Sequence, residues 1–144
     1  MSTKDKLTFF KIDTESQQNI PFIPDGVSAG FPSPAADFNE NTIDLNKELC
    51  ENPLATFYIK VKGNSMMDAG IHDGDILVVD KSIEARDNKI AVCFIDGEFT
   101  VKRIKIEEDC LHLVAENPSY PPIKVTTENQ FMVWGIVTYT IKKM

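Results

Sequence analysis

The sequence predicts a mainly β protein, and three observations carry that class. From residue 57 the apolar residues recur with period two: Phe57, Ile59 and Val61 alternate with Tyr58, Lys60 and Lys62. Apolar runs of strand length follow, punctuated by glycine and aspartate, and Asp96-Gly97 is a hairpin turn signal. No helical pattern alternates with these runs, which excludes a doubly wound sheet. The chain of 144 residues is one domain's worth with room for an arm, and its 42% hydrophobic content can fill a core.

Taken in order, residues 1–20 are polar apart from the cluster Leu7, Phe9 and Phe10. Residues 21–34 hold prolines at 21, 24, 32 and 34, which remove amide donors and predict an extended arm. Apolar residues at 43, 45 and 49 predict a short helix or turn over Ile43–Leu49, stopped by Asn52-Pro53. Strands are then expected around Phe57–Val61 and over Ile76–Val79, Ile90–Ile95, Phe99–Ile106, Leu111–Ala115, Ile123–Val125 and Phe131–Ile141. The β-rich body covers about residues 55–144, preceded by a linker with the short helix or turn over 30–54.

Composition narrows the function. The net charge of −7, from 22 acidic against 15 basic residues, argues against a direct grip on nucleic acid, although a partner could supply one. No apolar run is long enough to span a bilayer, and the N-terminal residues lack a secretory apolar core. Cys50, Cys93 and Cys110 form no CxxC pair and read as reduced thiols of a cytoplasmic protein. The spacing of acidic residues does not fit a calcium loop, so neither metal nor cofactor is expected.

One segment raises a chemical question. GNSMMDAGIHDGD (Gly63–Asp75) follows the first alternating strand and places Ser65 in a glycine-bounded turn. A serine hydroxyl is a poor nucleophile until a neighbour accepts its proton. The histidines on offer are His72, in the same loop, and His112, which points away from the face of Leu111 and Leu113; both also read as solvated residues. The other candidate is Lys102, which alternation places on one face with Thr100, Ile104 and Ile106. A lysine ordinarily titrates near about 10.4, so basicity near neutrality needs roughly 4 kcal/mol of preference for the neutral amine, which desolvation can supply. Lysines also snorkel from partly apolar faces, and the aspartates of a turn-rich loop commonly accept local amides. The residues alone leave these readings open.

The blocks GFPSPAADF (Gly30–Phe38), IDLN (Ile43–Asn46), GNSMMDAGIHDGD, ILVVD (Ile76–Asp80), DGEFTVKR (Asp96–Arg103), ENPSYPPI (Glu116–Ile123) and WGIVTY (Trp134–Tyr139) resemble the UmuD/MucA proteins. These are the polymerase-associated branch of the LexA-like, self-cleaving Ser–Lys peptidases. The resemblance runs from about Gly30 to the C-terminus and implies curved antiparallel sheets behind an extended N-terminal arm. It implies Ser65 as nucleophile, Lys102 as general base, the Asn64 and Ser65 amides as oxyanion donors, and Ala29–Gly30 as the bond cut in removing residues 1–29. It also implies cleavage stimulated by a RecA–single-stranded-DNA filament, a homodimer, and a UmuC-type polymerase subunit as partner in SOS translesion synthesis. Residues 1–29 are too few for the helix-turn-helix of a repressor. The competing reading is a non-catalytic dimeric adaptor of a DNA polymerase.

Overall fold

The computed structural model describes residues 6–11, 20–21 and 42–144. The expected scissile bond Ala29–Gly30, most of the proline-rich arm and the GFPSPAADF block lie outside the described residues. The strands are β1 (Lys6–Lys11), β2 (Ile20–Pro21), β3 (Thr42–Ile43), β4 (Thr56–Lys62), β5 (Ile76–Asp80), β6 (Ile90–Ile95), β7 (Glu98–Ile106), β8 (Leu111–Val114), β9 (Ile123–Val125) and β10 (Phe131–Ile141). Eight of them form one antiparallel sheet in the order β1-β4-β5-β10-β6-β7-β8-β9, while β2 pairs with β3. The expected mainly β class therefore holds.

Most strand expectations are met within one residue. Helix α1 is shorter than the expected span, Leu45–Leu49, because Asp44 caps it by accepting from the Asn46 amide at 3.0 Å. The Asp96-Gly97 turn joins β6 to β7 with φ values of 47° and 88°, the left-handed pair that a two-residue hairpin of this twist requires. Residues 6–11, for which no element is expected, form edge strand β1 in register with β4, Leu7 opposite Val61 and Phe9 opposite Ile59.

The sheet curls. Phe9 on β1 reaches Phe99 on β7 with ring centroids 5.1 Å apart, although these strands stand first and sixth in the order. Alternate side chains divide between two apolar groups. Ile59, Val61, Leu77, Val79, Val92 and Val101 fill one, and Ala91, Cys93, Ile104, Leu113 and Ile136 fill the other. β10 carries two irregularities that bend it. Against β6 the register slips between Val133 and Gly135, making Trp134 the extra residue, and against β5 it slips between Val137 and Tyr139. Thr138 lies at the second slip, and its hydroxyl donates to the Val78 carbonyl at 3.2 Å.

Candidate active site

Ser65 sits just past the end of β4 and is 1% exposed. Gly63, at φ 118°, turns the chain out of the strand where a side chain would be strained. The loop is then tied down from several directions. The Gly63 amide donates to Asp73 Oδ1 at 2.8 Å, and the Gly74 amide donates to the Val61 carbonyl at 2.8 Å. The single turn Met67–Ala69 closes on Gly70, whose φ of 84° suits a residue without Cβ. From the segment after β8, the Asn117 side-chain amide donates to the Asn64 carbonyl at 2.9 Å, and the Glu116 carbonyl accepts from the Asp68 amide at 2.8 Å. Asp73 and Asp75 accept local amides, as the turn-rich reading expects; Asp75 takes that of His72 at 2.8 Å.

Lys102 comes from β7, opposite Ala91 of β6, and is 6% exposed. Its Nζ lies 3.3 Å from Ser65 Oγ, and it donates to Thr100 Oγ1 at 2.6 Å and to the Val101 carbonyl at 3.1 Å. Alternation correctly groups Thr100, Lys102 and Ile104, and Ile104 is fully buried; Ile106, at the strand end, is 47% exposed. Cys93, opposite Thr100, shows how apolar this neighbourhood is: burial pushes its thiol up to about 12 even though Lys102 pulls the other way. A cleft of about 640 Å³ opens beside Lys102, bounded by Thr100, Phe99 and Tyr120 and, on its far wall, by Leu7 and Phe9 of β1.

The histidines go elsewhere. His72 Nδ1 meets Lys142 Nζ at 2.8 Å, and Lys142 also pairs with Asp75. His112 lies 3.7 Å from both Cys110 Sγ and Glu107 Oε1. Glu107, Cys110 and His112 bring one ligand atom each within 4.8 Å of one another at the β7–β8 turn, a grouping that the sequence reading does not anticipate. Cys50, Cys93 and Cys110 are free thiols.

Residues 21–138 match the family described as Peptidase S24-like. The chain belongs to that family. Within it, the chain is 39% identical over 127 residues to protein SamA of Salmonella typhimurium, covering 88% of each chain. It is 39% identical over 125 residues to protein MucA of Escherichia coli, covering 85% of this chain and 84% of that one. It is also 42% identical over 107 residues to a LexA repressor of Ectopseudomonas mendocina, covering 74% of this chain and 52% of the repressor. The resemblance to UmuD/MucA proteins drawn from the sequence blocks is thus borne out. Among the described residues, no helix is long and apolar enough to cross a membrane.

Proposed function

We propose that this member of the peptidase S24-like family is an SOS-response serine peptidase that cuts its own Ala29–Gly30 bond with Ser65 and Lys102. The observation that carries the reading is the 3.3 Å approach of Lys102 Nζ to Ser65 Oγ in a buried setting. A neutral amine has two N–H groups and one lone pair. The Val101 carbonyl can only accept, and the Thr100 hydroxyl is placed to accept, so the set suits N–H bonds to these two and a lone pair for the Ser65 proton.

Ser65 Oγ attacks the Ala29 carbonyl carbon as its proton passes to Lys102 Nζ. The Asn64 and Ser65 amides receive the developing oxyanion. The carbon–nitrogen bond breaks, Lys102 returns the proton to the departing Gly30 amine, and water then hydrolyses the Ser65 ester with Lys102 again as base. Small Ala29 and side-chain-free Gly30 allow close backbone approach. The leader is residues 1–29, and residues 30–144 are the processed form, made of the 30–54 linker and the β-rich body. We assign the trigger to a RecA–single-stranded-DNA filament and the destination to a homodimer joined to a UmuC-type catalytic subunit, an error-prone translesion polymerase in the cytoplasm. Relatedness to MucA supports that assignment.

The test is a mass spectrum of the purified chain after incubation with activated filament, and separately at alkaline pH, where more of the lysine is neutral. A fragment beginning at Gly30 is expected in both, and Ser65→Ala and Lys102→Ala should each abolish it. If both variants still yield the fragment, an outside protease makes the cut and the chain is a non-catalytic adaptor.

A further inference from the structure

β1 is one of the two edge strands of the sheet. It is six residues long and pairs only with β4; Leu7, opposite Val61, and Phe9, opposite Ile59, lie on its packed face, while Phe10, opposite Tyr58, stands half exposed on the other. Phe9 closes a group of aromatic rings, its centroid 4.9 Å from Trp134 and 5.1 Å from Phe99, with Phe57 5.0 Å from Trp134. The other face is mismatched. Lys6 stands opposite Lys62 and Thr8 opposite Lys60, so two lysines of β4 meet no carboxylate across the pair. Like charges directly opposite destabilise an antiparallel pair, whereas opposite charges support it. Among the described residues, neither Lys60 nor Lys62 belongs to an ion pair.

We propose that the β4 edge is a docking site for an extended segment of another protein, with apolar side chains at alternate positions and carboxylates opposite Lys60 and Lys62, and that β1 is its built-in competitor. An exposed strand edge recruits such segments through main-chain hydrogen bonds, while alternate side chains set specificity. Here Ile59, Val61, Phe99 and Trp134 supply the apolar seat and the two lysines supply a preference for acid. The competitor holds the edge because it is part of the same chain: a covalently linked segment acts at an effective concentration on the order of mM. Resting on the function proposed above, a cut at Ala29–Gly30 severs that tether, since β1 lies in the removed fragment. The occupant then competes with a free peptide instead of a linked one, and the same cut removes the wall that Leu7 and Phe9 give to the cleft beside Lys102.

The test needs no cleavage. A fluorescent peptide copying residues 4–13, with Lys6→Glu, is titrated into the uncut full chain as wild type, Phe9→Asp and Lys62→Glu. Phe9→Asp places a carboxylate among aromatic rings, so β1 leaves and the peptide should bind roughly tenfold more tightly than to wild type. Its binding should also reverse the red shift that Phe9→Asp causes in Trp134 emission. In a Phe9→Asp, Lys62→Glu double variant the preference should invert, the unaltered Lys6 peptide binding about threefold better than the glutamate peptide. Lys62→Glu alone should slow amide exchange in β1 and β4, because Lys6 then faces a carboxylate. Equal binding to wild type and Phe9→Asp would overturn the proposal, as would indifference to the charge at residue 62. So would an oligomeric mass of the Phe9→Asp chain above that of wild type without peptide binding, which would mean that a further copy fills the edge.

Discussion

Replacing Gly135 by alanine is expected to destabilise the protein through a single contact. A Cβ built at Gly135 would lie 2.6 Å from Val79 Cγ1 and 3.4 Å from the Asp80 carbonyl oxygen. The second distance is tolerable, but the first is shorter than carbon–carbon contact by about 1 Å. Val79 cannot swing aside, because it is fully buried and packed in the larger apolar group. Overpacking of this kind costs about 1–3 kcal/mol. An unfolding entropy of about 2.1 cal/mol/K per residue, applied to the full chain, turns that cost into a fall in Tm of about 3–10 °C.

Two measurements check the origin of the loss. Gly135 follows Trp134 at the register slip, and Trp134 is the one tryptophan in the chain, so its emission should shift as the melt is lowered. Val79→Ala removes the offending methyl, and in the double variant the two losses should fall short of their sum by about 1 kcal/mol or more. A Gly135→Ala protein melting within about 1 °C of wild type, or strictly additive losses, would refute the reasoning.

Two further outcomes follow from buried titratable groups. Burial raises the carboxyls of Asp75 and Asp80, yet hydrogen bonds from Lys142 and the His72 amide to the first, and from Ser82 and Asn52 to the second, hold both below the usual range. Depressed carboxyls stabilise the fold above their unfolded pKa, about 3.9, and that contribution disappears as pH falls through the lower folded values. Denaturant titrations from pH 7 to pH 2 should show this acid loss, and Asp75→Asn should flatten it while lowering stability at pH 7 by roughly 1–3 kcal/mol; an unchanged profile would count against the pairing. For the cysteines, alkylation of the native protein at pH 8 followed by peptide mass mapping should label Cys110 first. Cys93 should resist until the sheet opens, since it is fully buried and its thiol is pushed up to about 12. Equal rates would show that the strands around Cys93 open freely.

Much of the sheet was legible because its strands alternate locally. Ile90–Ile95 and Phe131–Ile141 match the expected limits, and the side-chain period alone groups Lys102 with Thr100 and Ile104. Long-range contacts were not legible. Leu7 and Phe9 show alternation, but nothing in six residues says that they pair with Val61 and Ile59 some fifty positions later. The ties from Glu116 and Asn117 to the serine loop, and the Lys142 contact to His72, likewise join distant segments and leave no periodic trace. The slips in β10 change register without changing composition, and Gly135 is the one residue there that hints at a close approach.

Those slips matter for the candidate site, because the contact between Ser65 and Lys102 is a property of the whole sheet. Ser65 is carried at the end of β4 and Lys102 within β7, and β5, β10 and β6 stand between them in the order. Four inter-strand steps of about 4.8 Å would hold the two carriers roughly 19 Å apart in a flat sheet, beyond the reach of a lysine side chain. The observed 3.3 Å therefore requires curl, and β10, the middle strand of the five, is where the pairing slips on both sides. Bulges raise local twist and bend the strand that carries them. A serine and a lysine 37 positions apart in sequence thus meet because a third segment, beginning 29 residues beyond the lysine, bends the sheet around them.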